Sequence, residues 1–280
     1  MKILNYKVFT PEDKNNKQQI PLFILHGLLG SMDNWRSQAK LLSKDRPVFT
    51  LDLRNHGDSP HIKGMSYREM YEDVIKVAKK ENIKYFHLLG HSMGGKVAMQ
   101  LALANPNMIE SLIVVDIAPK PYPLWHQKLF QAVMTVPIDS ITSRNEIDDH
   151  LKGAIEDRAE RSFMLKNIKR NSDYKSNHSS RHKTEHDTDT ALYSWKPNLK
   201  EISKGYLKIA GFTTSLAQYP KKTLFIKGEN SPYIQESDSN LILSLFPNAN
   251  VTIIKDSGHL PHIQQKEEFY KVVSLFLAEL

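Results

Sequence analysis

Short, largely apolar runs punctuate this chain. They are Pro21–Gly27, Pro47–Asp52, Tyr85–Gly90, Ser111–Pro119, Lys222–Gly228 and Asn250–Ile254. A largely apolar run of this length, closed by turn residues, suits a strand covered on both faces, as parallel sheets require. Residues 1 to 9 differ: Ile3, Tyr6, Val8 and Phe9 alternate with polar positions and predict an edge strand. Helical spacing fills the gaps. Trp35 opens an amphipathic stretch through Leu42. Ser66, with Glu69 three residues on, is a capping-box signature, and Tyr67, Met70, Tyr71, Val74 and Val77 then share one face as far as Lys80. Further helices are expected at Val97–Ala104, near 237–245, and from about Gln264 to Ala278. Strand alternating with helix predicts an α/β fold with a mostly parallel central sheet flanked by helices.

From Pro121 to about Ala210 the pattern changes. Aromatics and prolines give way to helical spacing around 124–136, 143–155 and 157–169, and no strand pattern shows. An excursion of this kind before the next-to-last strand predicts a helical cap over a site. The expected division is a core of 1–120 and 213–280 and a cap of 121–212. Within it, Lys169 to Thr190 is nearly free of apolar residues and is expected to be mobile. His178, His182 and His186 stand four apart there, but the composition argues against the helix that would align them, so no metal site is expected.

Composition narrows the classes. The 280 residues are 40% hydrophobic and 25% charged, ordinary for a globular chain, and no apolar run approaches the ~20 residues of a membrane span. Stable membrane insertion is therefore not expected. Cysteine is absent, which excludes a disulfide or a catalytic thiol, and the first residues lack the apolar core of a signal peptide. A cytoplasmic protein is the expectation. The net charge of +7 comes from lysines scattered along the chain, with no nucleic-acid motif.

One stretch carries chemistry. Gly90-His91-Ser92-Met93-Gly94 lies between a buried strand and a helix. A serine on so sharp a turn projects its hydroxyl from the sheet, and glycines two before and two after remove Cβ atoms that would collide. Ser92 is the candidate nucleophile, with the Met93 N–H at the helix start as one oxyanion donor. The loop after His26-Gly27 supplies the other candidate donor, the Leu28 N–H; His26 itself is expected only to brace backbone. Asp52 and Arg54 are likewise read as loop braces, with His56 near the mouth of the site. A serine needs a base and the base an orienting acid. His259, in a Gly-His turn after the last strand, is the candidate base, with His262 the nearest competitor and expected to face the cap or solvent. For the acid, Asp116 closes a buried strand directly after Leu-Ile-Val-Val. Glu229, Asp238 and Asp256 remain alternatives, and Ser231 stands where an aspartate is common.

With these residues in view, the chain resembles the α/β-hydrolase fold esterases, in particular the YbfF-like bacterial group and the mitochondrial abhydrolase-11 type. The resemblance rests on His26-Gly27-Leu28-Leu29-Gly30-Ser31, Asp33-Asn34-Trp35, Asp52 to Ser59, Gly90 to Lys96, Val115 to Pro119, Lys227 to Tyr233 and Gly258-His259. It implies the acid at Asp116, no cofactor, and hydrolysis of short to medium carboxylic esters or acyl-CoA thioesters through an acyl-enzyme. The stretch from Lys169 to Thr190 departs from the family pattern as an insertion. The same residues could also serve C–C hydrolysis, a lyase step or perhydrolysis, and a non-catalytic binding protein is a more distant alternative.

Overall fold

The computed structural model describes residues 2–13, 19–156, 158–171, 191–213 and 217–279. The chain opens with β1 (Tyr6–Phe9) and β2 (Leu22–Leu25). A 3₁₀ turn over Met32–Trp35 leads into α1 (Arg36–Leu42), followed by β3 (Val48–Leu51) and α2 (Tyr67–Lys80). Then come β4 (Phe86–His91), α3 (Met93–Ala104) and β5 (Ile109–Val115). An insertion follows, with α4 (Gln127–Met134), α5 (Arg144–Lys152), α6 (Arg158–Leu165), β6 (Ile168–Arg170), β7 (Tyr193–Trp195) and α7 (Leu199–Ala210). The sheet resumes with β8 (Thr223–Gly228), α8 (Ser239–Leu245) and β9 (Ala249–Ile254), and the chain closes with α9 (Pro261–Gln264) and α10 (Lys266–Ala278).

Seven strands form one sheet in the order β1-β3-β2-β4-β5-β8-β9, antiparallel only at the β1–β3 edge. Strand alternation sorts the apolar runs into two layers. Phe23, Leu25, Phe86, Leu88, Leu112 and Val114 face α2, α3 and α8, while Leu22, Ile24, Leu89, Ile113 and Val115 face α1 and α10. Stacked Phe49, Phe23 and Phe86, with centroids 4.7 and 4.3 Å apart, tie three strands on the first face. The Ser66 side chain accepts from the Glu69 N–H and the Glu69 carboxylate from the Ser66 N–H, so the capping box forms as predicted.

Three expectations need correction. The insertion contains an antiparallel ribbon, Ile168 opposite Trp195 and Arg170 opposite Tyr193, where no strand was expected. Three-residue strands are too short to show a period. Its last helix, α7, was also not anticipated, although Asn198 caps it and Leu199, Ile202, Tyr206 and Ile209 line one buried face. The predicted helix at Val97 starts a full turn earlier, at Met93, because the two glycines that discourage a helix reading are required there for close packing. The polar stretch 172–190, with its three histidines, lies outside the described residues. No helix among the described residues is long and apolar enough to cross a membrane.

Topology locates a crevice. The chain runs from β2 outward to β3 and then back to β4 on the other side of β2. Ligands of open α/β sheets bind at the carboxyl ends of strands where the order reverses in this way.

Candidate active site

The strand ends at that crevice lie in register. Leu25 pairs with Gly90, His91 with Val115, and Val115 with Ile226. The next residues, Ser92 after β4 and Asp116 after β5, therefore emerge side by side. Ser92 has φ 51° and ψ −117°, a strained conformation for a residue with a side chain. Its N–H donates to the Val115 carbonyl at 3.0 Å, and its own carbonyl accepts from Lys96 N–H at 3.0 Å. The glycines make this turn possible. A Cβ on Gly90 would lie 2.2 Å from the Gly94 carbonyl oxygen, and one on Gly94 2.4 Å from that of His26.

His259, on the loop between β9 and α9, joins the two strand ends. Ser92 Oγ–H donates to His259 Nε2 at 3.0 Å, and His259 Nδ1–H donates to Asp116 Oδ2 at 2.7 Å. The carboxylate can only accept, so it fixes the proton on Nδ1 and leaves the Nε2 lone pair toward the serine. Asp116 is fully buried, with φ 52°. Its Oδ1 accepts from the Gly228 N–H at 3.0 Å, and Oδ2 accepts also from the Ser231 hydroxyl. Ser231 thus stands where a carboxylate was sought and braces the carboxylate from the neighbouring strand. The alternative acids are engaged elsewhere. Asp238 is paired with Lys120 Nζ at 2.6 Å, and Glu229 accepts from the Asp256 N–H at 3.0 Å.

Packing holds the imidazole from two further sides. Tyr233 stacks on the His259 ring with centroids 3.9 Å apart and planes 18° apart. His91 Nε2–H donates to the His259 carbonyl at 2.7 Å. Neither contact was legible in the sequence, since both link segments remote along the chain. His26 behaves as read: Nδ1–H donates to the Gly27 carbonyl at 2.8 Å, and Nε2 accepts from the Leu53 N–H at 2.9 Å. Asp52 accepts from the Met32 N–H at 2.7 Å and Arg54 pairs with Asp73 at 2.7 Å, so both brace loops. Two histidine placements differ from expectation. His56 is fully buried, its ring 5.1 Å from that of His26, and not at the mouth. His262 is also buried, stacked at 4.1 Å on Trp35, because the proline before it turns the chain inward into α9.

A cavity of about 360 Å³ opens over Ser92, within the range of small-molecule sites. Leu28, Leu129, Phe163 and Met164 give it an apolar wall, and His126 enters from the insertion, where its N–H donates to the Tyr206 hydroxyl at 2.9 Å. A smaller cavity beside it is bounded by Leu28, Met93, Ile117 and Ile209. Leu28, Ser92 and Met93 all line this smaller cavity. Lys96, in the first turn of α3, is buried. Its Nζ donates to the Ala210 and Gly211 carbonyls at 2.9 and 2.7 Å, which ties α3 to the last turn of α7, and burial pushes its ammonium down to about 7.

Burial keeps several imidazoles neutral. It lowers His26 to about 4 and His56, His87 and His262 to about 3, and holds His91 well below 6.5 with help from the neighbouring His259. An unfolded chain would protonate these groups near pH 6.5, so below that pH the unfolded state binds more protons. Stability is then complete above pH 6.5 and is lost as pH falls toward 3, by roughly 1.4 kcal/mol per pH unit for each such group. The expected result is a urea midpoint that drops steeply between pH 6.5 and 5. His87→Gln, remote from Ser92 and bonded to Ser111 Oγ at 2.8 Å, should flatten the slope; a midpoint unchanged across that window would contradict it.

Comparison with known proteins agrees with this fold. The sequence profile of the alpha/beta hydrolase fold matches residues 20–266. The chain is 35% identical over 283 residues to the sn-1-specific diacylglycerol lipase ABHD11 of Danio rerio, across 98% of this chain and 82% of that protein. It is 27% identical to the esterase YbfF of Escherichia coli, across 98% of both. A solved esterase from a marine microorganism superimposes with TM-score 0.87 at 35% identity, over 99% of this chain and 100% of that one.

Proposed function

Since this chain belongs to the alpha/beta hydrolase fold family and is an esterase of it, we propose that it cleaves carboxylic esters of short to medium acyl length with Ser92 as nucleophile, His259 as base and Asp116 as orienting acid. The observation that carries this reading is the continuous line from Ser92 Oγ through His259 to Asp116, at 3.0 and 2.7 Å, set beside the strained turn.

The steps follow from the atoms. His259 Nε2 takes the Ser92 proton as Oγ attacks the ester carbonyl. The negative charge that develops on the carbonyl oxygen is met by the N–H groups of Leu28 and Met93, the latter at the positive end of α3. The tetrahedral species collapses to an acyl-Ser92, and His259 delivers its proton to the departing alcohol or thiol. Water, deprotonated by His259, then attacks the acyl group and releases the acid. The Asp116 carboxylate orients His259 and stabilises the imidazolium formed twice in the cycle. Residues of the insertion close the cavity as a cap and size the acyl group.

Intact mass after treatment with a fluorophosphonate probe, together with turnover of a ladder of p-nitrophenyl acyl esters, tests the proposal. One adduct per chain, on the peptide containing Ser92, is expected, with turnover falling at long acyl chains. A wild-type chain that neither labels nor turns over any ester of the ladder would overturn it.

A further inference from the structure

A third cavity, of about 340 Å³, adjoins the reactive one and shares Asn34 and His262 with it. Its character is different. Four cations converge on it from three separate places: Arg36 and Lys40, one turn apart on α1; Lys166, just past α6 in the insertion; and Lys266, the first residue of α10. Among the described residues, Asp33 is the one carboxylate on its wall. Some lysines elsewhere find acidic partners, as Lys120 does with Asp238, Lys152 with Asp149 and Lys221 with Glu110. Among the described residues none of these four cations has a carboxylate within 4.0 Å. Like charges brought together from core and insertion repel unless an anion sits among them.

The position has a chemical meaning. The proton on His259 Nε2 must reach the leaving group, so the leaving group lies on the side of the base. The residues that follow His259, namely Leu260, His262 and Gln264, continue the wall of the reactive cavity, and His262 carries on into the cationic one. The smaller cavity beside Ser92, where Met93 and Ile117 are joined by Lys96, Tyr122 and His126, does not include His259. The reactive and the cationic cavities thus share Asn34 and His262 as lining, on the side of the base.

We infer that Arg36, Lys40, Lys166 and Lys266 form a subsite for a phosphate carried by the departing alcohol or thiol. This inference rests on the esterase reading above and adds the class of leaving group. Arg36 can meet a phosphate through its planar fork, and the lysines act as point charges. Exposed charges are screened over about 8 Å at physiological ionic strength, so the preference should weaken with salt. Two sources share this chemistry: a phosphorylated glyceride and a phosphorylated pantetheine thiol.

Two matched pairs separate them. S-butyryl coenzyme A is compared with S-butyryl N-acetylcysteamine, and 1-butyryl-glycerol 3-phosphate with 1-monobutyrin, each in wild type and in Lys166→Glu/Lys266→Glu and Arg36→Glu/Lys40→Glu. In at least one pair, kcat/KM for the phosphate-bearing member should exceed its partner at least tenfold at low salt. That advantage should fall with added sodium chloride and vanish in the charge-reversed variants through KM, with kcat and p-nitrophenyl butyrate turnover unchanged. Lys166→Arg/Lys266→Arg should retain it, and the pair that shows it names the source. Equal kcat/KM within both pairs in wild type overturns the inference, as does a reversal that damages neutral esters equally. Calorimetric titration with glycerol 3-phosphate and with coenzyme A reads the subsite without catalysis. Saturable binding of either, lost on reversal, supports it even if no ester is turned over, and binding of neither overturns it while leaving the esterase reading intact.

Discussion

Ser92→Ala should lower kcat on p-nitrophenyl esters by on the order of 10⁶-fold, the scale found when a triad serine is removed, and should abolish the fluorophosphonate adduct. Among the described residues no other hydroxyl is bonded to His259 Nε2. Ser231 Oγ is committed to Asp116, and the lone pair of His259 Nε2 meets only Ser92. A companion variant separates chemistry from folding. At φ 51° and ψ −117° a side chain costs free energy that glycine does not. Ser92→Gly should therefore be as inactive as the alanine variant yet more stable than wild type, by about 1 kcal/mol, seen as a higher urea midpoint. Residual turnover within tenfold of wild type in either variant would remove Ser92 from its assigned role.

Asp116→Asn should reduce kcat by roughly 10⁴-fold with little change in the urea midpoint. The amide can still accept from Gly228, but it can present an N–H to His259 Nδ1. That would favour the tautomer with its proton on Nε2, where it blocks the serine. The neighbouring position offers a rescue. Ser231 Oγ donates to the same Oδ2 that receives the His259 proton, so a carboxylate at 231 lies close to the imidazole. Asp116→Asn/Ser231→Asp should recover at least tenfold over Asp116→Asn. Ser231→Asp alone should be impaired, because two carboxylates in one buried pocket cannot both stay ionised. If Asp116→Asn keeps full activity, or if the double variant is no better than the single, the acid is misassigned.

The sequence made the sheet legible because its central strands are covered on both faces. Leu22–Leu25 and Val48–Leu51 are buried at every position, so their apolar runs have no competing explanation. The serine turn was legible for a related reason: Gly90 and Gly94 are there because no larger residue fits. The acid was readable only as a choice, since a carboxylate at a strand end serves equally well as a loop cap until the partner strands are placed. The contacts made by Tyr233 and His91 were hidden. Stacking on His259 and holding its carbonyl depend on the meeting of segments 26 and 168 residues apart, and no local period records that. His262 was misplaced because a histidine after a proline reads as a surface turn, whereas an aromatic partner, Trp35, takes its ring inside. The ribbon of β6 and β7 failed for want of length.

The strand registers that bring Ser92 and Asp116 out side by side have one more consequence. Both residues hang from adjacent, fully paired strands at the centre of the sheet, the last part of such a molecule to open. His259 rides instead on a loop after the edge strand β9. Enzyme and inactive protein can therefore differ by the opening of a single edge segment, with the serine and the carboxylate never leaving their places. Heat or denaturant would silence catalysis by undocking one loop well before the fold is lost, and cooling would restore it without refolding.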